Sequence, residues 1–174
     1  VPPHSPARAV SRGAVSRVWA WRAVASPAGT YEGRPALTWK TNVEGRVWLP
    51  KGTADQACDA RAAHVRAVEW LESYTGIPYP FPPKVDAIGI PDFEAGAMEN
   101  PGAITYRTTY LAAATKPAST STFTAVFSVA ANELPHQCWA DLVTMPWWND
   151  LWLTASLPRF FSAARTETLD PEWR

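Results

Sequence analysis

The sequence predicts an α/β (α+β) fold in which short strands feed a sheet packed on long helices. Three observations predict it. Short runs rich in Val and Trp, bounded by Pro, Gly and Asn, occur before residue 50, and strand-like alternation occurs between residues 84 and 111. A long pattern with helical spacing separates the two groups, and a second apolar helical pattern follows them.

In chain order, Val1 to Ala9 is rich in proline and polar residues and is expected to be a disordered lead. Arg17 to Ser26, Ala36 to Asn42 and Arg46 to Leu49 are expected strands, the end of a β-rich region occupying residues 1–50. Thr53 to Tyr74 is the first helix, with Thr53 and Gln56 in a capping-box pattern and Cys58, Ala62, Val65, Val68 and Leu71 on one face. Gly76 and Pro78 stop it. His64 falls off that face and is expected to be an exposed helix histidine.

Tyr79 to Pro83 is a rigid connector. Lys84 to Ile90 and Ala103 to Leu111 then alternate like strands, flanking a turn-rich stretch from Pro91 to Gly102. Thr115 to Thr122 is a polar loop able to cap a helix from about Phe123 to Thr144. Pro135 lies inside that helix, where it removes a hydrogen bond to Ala131 and costs about 3 kcal/mol or a kink. A last helix is expected to begin near Asn149 or Asp150 and to be interrupted by Pro158.

Composition bounds the function classes. The 174 residues are 47% hydrophobic and 18% charged, which suits a globular domain with a real core. Lys+Arg and Asp+Glu both number 16, so charge offers no argument for nucleic acid or an anionic membrane as a partner. No apolar stretch approaches the roughly 18 residues of a membrane span. With neither an initiator methionine nor a basic-then-apolar leader, the chain is expected to be part of something larger. Cys58 and Cys138 have no metal-binding spacing and suit buried thiols as well as a disulfide.

The chemistry concentrates in Asn132-Glu133-Leu134-Pro135-His136. On its own, a Glu-x-x-His pair is an ordinary pair at helical spacing. The wider segment is more specific. Glu133, Leu134, His136, Gln137, Asp141 to Met145 and Trp147 to Leu153 resemble the zinc-binding segment of the aminopeptidase N-like gluzincins, a pattern of His-Glu-x-x-His with a glutamate 19 residues later. Gly96-Ala97-Met98-Glu99-Asn100 resembles the exopeptidase motif of the same family.

The resemblance implies the N-terminal, thermolysin-like part of a gluzincin catalytic domain over residues 51–174, a mixed sheet packed on the metal helix and its flanking helices. It implies zinc as cofactor and peptides with a free N-terminus as substrates. Glu133 takes the position of the general base, and Glu99 that of the group gripping the α-amine. Gly96, Ala97 and Met98 would line the substrate, and His136 would be a zinc ligand. Asn132 stands where the first histidine belongs and Ala155 where the third ligand belongs. An amide oxygen is a poor zinc ligand and a methyl group is none, so neither is expected to bind. Asp141, Asn149 and Asp150 lie nearby in sequence, but in the family pattern they are structural neighbours.

Three functions therefore compete: a zinc aminopeptidase, a pseudo-peptidase that binds peptide N-termini without cleaving them, and a decayed structural fragment. The expectation is an aminopeptidase-type metallopeptidase domain that is inactive in this form.

Overall fold

The computed structural model describes residues 31–35, 43–81, 84–112 and 119–167. The expected lead at Val1 to Ala9 and the expected strands Arg17 to Ser26 and Ala36 to Asn42 lie outside them. Five strands form one mixed sheet: β1 (Tyr31–Pro35), β2 (Glu44–Pro50), β3 (Lys84–Ile90), β4 (Ala97–Met98) and β5 (Ala103–Arg107), in the order β1-β2-β3-β5-β4. The inner pairs β2–β3 and β3–β5 are parallel, and the outer pairs β1–β2 and β4–β5 antiparallel. A parallel pair needs a crossover, and α1 (Cys58–Thr75) supplies the one from β2 to β3.

The strand expected at Arg46 to Leu49 is the centre of β2, with Val47 and Leu49 buried between exposed or half-buried neighbours. The strand β1 had no alternation to announce it. It contains Gly33 opposite Trp48, where a side chain would meet the indole ring at 2.6 Å, so the tryptophan lies over a gap only glycine leaves.

Three expectations change in α1 and its entry. Thr53 does not form the capping box: its hydroxyl donates to the Pro50 carbonyl at 2.7 Å, and a 3-10 turn, Ala54–Ala57, precedes the helix. The helix does end as expected, at Gly76 in the left-handed conformation, whose N–H donates to the Glu72 carbonyl. His64 is buried, 4% exposed. The buried face is broader than the Val and Leu stripe, because Ala60, Ala63 and Ala67 let the helix sit close to its neighbours and bring His64 inward.

Ser119 caps α2 (Thr120–His136) by accepting from the Thr122 N–H at 3.2 Å. The helix passes through Pro135 and ends at the next residue. Gln137–Leu142 then forms a wide turn closed by Val143 N–H to the Cys138 carbonyl, with Trp139 and Ala140 off helical geometry. The expected run to Thr144 thus ends at His136 and gives way to this wide turn, where Trp139 and Ala140 leave helical geometry. The last helix, α3 (Leu151–Glu167), begins one turn after Trp147 and runs through Pro158 without ending there. Packing holds the half after Pro158 in place: Phe161 is buried against Trp139, ring centroids 4.4 Å apart, and Ser162 donates to the Ser128 carbonyl of α2.

One core joins Val47, Leu49, Val85 and Ile104 of the sheet to Ala60 and Val68 of α1 and Val126, Phe127, Ala130 and Leu134 of α2. Cys138 is a buried free thiol beside it. No helix among the described residues is long and apolar enough to cross a membrane.

Candidate functional site

The last turn of α2 faces the loop that follows β4. The β-strand geometry of Ala97–Met98 ends at Glu99, and that residue's carboxylate lies 3.4 Å from the His136 Nδ1. The approach is a close pair without hydrogen-bond alignment, since the buried Nδ1 has no hydrogen-bond partner. Glu133 is buried one turn earlier, and its Oε1 accepts from the Asn132 amide at 3.0 Å. The residues singled out in sequence, Glu99, Asn132, Glu133 and His136, are therefore brought to one end of one helix.

Gln137 holds this arrangement together. Fully buried, its Nε2 donates to the Glu99 carbonyl at 2.6 Å and to the Asp141 carboxylate at 2.9 Å. Its Oε1 accepts from the Tyr79 hydroxyl at 3.0 Å and from the Gly102 N–H at 2.9 Å. Every donor and acceptor of one side-chain amide is thus used. At the other end of the loop, Arg107 donates from its side chain to the carbonyls of Phe93 and Glu94, and from its backbone to Gly96. The segment Gly96 to Asn100 is pinned on both sides.

Burial sets the protonation of the site. Desolvation raises the Glu133 carboxyl to about 7; the Asn132 hydrogen bond opposes this and the Glu99 charge adds to it. Asp141 is raised to about 7 by burial, then by Glu99 and Glu133. His136 is lowered by burial, with Glu99 opposing. Below the site, Tyr106 is fully buried and its hydroxyl lies 2.9 Å from Nε2 of His64, whose Nδ1 lies 2.7 Å from the Ala60 carbonyl. The carbonyl can only accept, so Nδ1 carries the proton and Tyr106 donates to Nε2. Burial lowers His64 to about 4, keeping the ring neutral.

The donor set does not fit zinc. A catalytic zinc site takes three protein ligands. Among the described residues no group of three or more His, Cys, Asp or Glu side chains is placed to hold a metal ion. The Asn132 amide is engaged by Glu133, and Ala155 presents an exposed methyl group on α3. Sequence reasoning reached Glu99, Glu133 and His136. It passed over the bonding of Gln137 and the Tyr106–His64 pair, whose polar side chains the structure buries.

Comparison with known proteins follows the same residues. Residues 60–174 match the model of the peptidase family M1 domain. The chain is 41% identical over 132 residues to aminopeptidase M1 of Arabidopsis thaliana, covering 76% of this chain and 15% of that protein. It is 40% identical over 133 residues to endoplasmic reticulum aminopeptidase 1 of Homo sapiens, covering 76% and 14%. It is 44% identical over 108 residues to tricorn protease-interacting factor F2 of Thermoplasma acidophilum, covering 62% and 14%. The chain thus spans about a seventh of the length of these relatives.

Proposed function

The chain belongs to peptidase family M1, and from that premise we propose that it is an aminopeptidase-type domain that binds the free N-terminus of a peptide without hydrolysing it. The observation that carries the reading is the position of β4. It is the outer strand of the sheet, paired with β5 through Ala97–Tyr106 and Met98–Thr105, and no strand among the described residues pairs with its other side. An extended peptide can add there as a further strand, with main-chain hydrogen bonds supplying affinity.

Such a peptide would bring its α-ammonium to the end of β4, where the partly exposed Glu99 carboxylate is positioned to accept from it. Met98, exposed, would meet the first side chains. Hydrolysis requires more. Zinc in this family supplies the water that attacks the peptide carbonyl, and of the expected ligands this chain keeps His136 alone. Glu133 matches the base, but a base of this kind acts on a metal-activated water, and two of the three ligand positions that would hold the metal are Asn132 and Ala155.

The test is calorimetric titration of the whole chain with a short peptide, with its N-acetylated form, and with the Glu99→Gln variant, followed by mass spectrometry for a released residue. Binding that requires both the free amine and Glu99, with no cleavage when zinc is added, supports the reading. Equal binding of the acetylated peptide would refute amine recognition. Chelator-sensitive release of the first residue would restore the peptidase.

A further inference from the structure

A cavity of about 630 Å³ opens at the carboxyl ends of the parallel strands β3 and β5, lined by none of the residues of the site described above. Pro91, Asp92, Phe93 and Glu94, which follow β3, form one wall, and Arg107 and Thr108, at the end of β5, form the other. Its volume falls within the roughly 300–1,000 Å³ of ligand clefts. The carboxyl ends of parallel strands are also where open α/β sheets bind their ligands.

The loop that forms the first wall is held in place. Arg107 donates from its side chain to the carbonyls of Phe93 and Glu94, and Asp92 sits at φ 53°, the one left-handed backbone besides glycines among the described residues. These bonds fix the backbone and leave the acids unmatched. The exposed carboxylates of Asp92 and Glu94 accept no hydrogen bond and form no ion pair among the described residues. Two carboxylates against one guanidinium make the cavity net negative. The Thr108 hydroxyl oxygen, buried and without a hydrogen-bond partner, adds a further polar group that the protein itself does not satisfy. Apolar Pro91 and Phe93 beside free carboxylates suit a long side chain with an apolar stem and a cationic tip.

The edge strand β4 leads to this cavity. Gly96, just before β4, accepts the Arg107 N–H on its carbonyl, while Glu99 lies just past the other end of the strand. A peptide that rests its α-ammonium at Glu99 and pairs with the free edge of β4 must run antiparallel to it, from Glu99 toward Gly96. Both chains rise about 3.3 Å per residue. The fourth peptide residue therefore stands beside Gly96, two residues from Glu94.

We propose, on the basis of the amine-anchored reading above, that this cavity is a subsite for a lysine or arginine side chain at the fourth position of the bound peptide. The experiment is calorimetric titration of the whole chain with alanine hexapeptide amides, free and N-acetylated, in which a single lysine is moved from position two to position six. A peptide with glutamate at position four and the double variant Asp92→Asn with Glu94→Gln accompany it, circular dichroism confirming that the variant folds.

Lysine at position four is expected to bind about fivefold tighter than alanine there, the scale of an exposed charge pair, and glutamate weaker than alanine. The ratio of lysine to alanine affinity should fall to near one in the double variant and at about 1 M salt. Free peptides that bind alike whatever the position of the lysine overturn the subsite and leave the amine reading intact. A preference peaking at another position overturns the register, and one that survives in the double variant overturns the choice of cavity. Acetylated peptides that bind as tightly as free ones, or a chain that binds none of them, overturn the amine reading, and the register counted from Glu99 falls with it.

Discussion

The side-chain amide of Gln137 donates to the backbone carbonyl of Glu99 at 2.6 Å, across 38 residues of sequence. One buried side chain thereby sets the distance between the end of α2 and the loop after β4. The position of the Glu99 carboxylate near His136 follows from that distance.

Replacing Gln137 with leucine keeps the volume and removes four partners. The Tyr79 hydroxyl and the Gly102 N–H would be left buried without an acceptor. The variant is expected to lose about 2–4 kcal/mol of stability in urea unfolding. Peptide binding should weaken together with stability, whereas Glu99→Gln should weaken binding alone.

Glu133→Gln gives a stability effect whose sign depends on pH. The folded carboxyl is raised to about 7 from 4.5, so between those values the native state holds a proton that the unfolded state releases. Its stabilising contribution is present at low pH and is lost as pH rises through about 7. The glutamine stays neutral. The variant should match the wild type near pH 4.5 and exceed it by on the order of 2 kcal/mol at pH 8. Comparing the two chains at each pH in urea cancels the titrations that Glu133 does not influence; Asp141, raised in part by the Glu133 charge, does not cancel and adds to the difference.

His64 titrates the other way. Its folded value of about 4 lies below 6.5, so the unfolded state takes up a proton first, and the contribution is lost as pH falls from about 6.5 to 4. His64→Leu removes that loss but strands the Tyr106 hydroxyl, at a cost of about 1–3 kcal/mol at pH 7. Adding Tyr106→Phe should recover most of it. Urea unfolding of the three proteins at pH 7 and 4.5 checks both statements.

Rebuilding the ligand set tests the site assignment. Asn132→His with Ala155→Glu and Pro135→Ala should raise zinc affinity by orders of magnitude, to near one zinc per chain after exhaustive dialysis. A triple variant that retains no zinc would mean that positions 132, 136 and 155 do not converge.

The legible parts of the fold were those with a strong local signal. The first long helix showed in its apolar spacing and in Gly76, and β3 in its alternation between turn residues. The strand β1 was not legible, because Gly33 fits a strand only under Trp48, a relationship between residues 15 apart. His64 was misplaced because alanines, which carry little weight in a hydrophobic pattern, form the buried face on which it sits. Pro158 was overweighted, since tertiary contacts of Phe161 and Ser162 hold the helix on the turn that follows it. At the site, Glu99, Glu133 and His136 could be named from motif and spacing. The bonding of Gln137 could not, because its partners Tyr79, Glu99 and Gly102 become neighbours only after the sheet has formed.

The outer position of β4 has a further consequence, for the order in which the molecule opens. Two residues long and held by a single neighbouring strand, β4 has few backbone bonds to protect it, whereas β3 is paired on both sides. Amide exchange at the amine-facing loop should therefore proceed through local opening, well below the energy of global unfolding. A peptide added along β4 would close that route, so occupancy of the cleft would be readable as slowed exchange at Ala97 and Met98 and as a raised melting temperature.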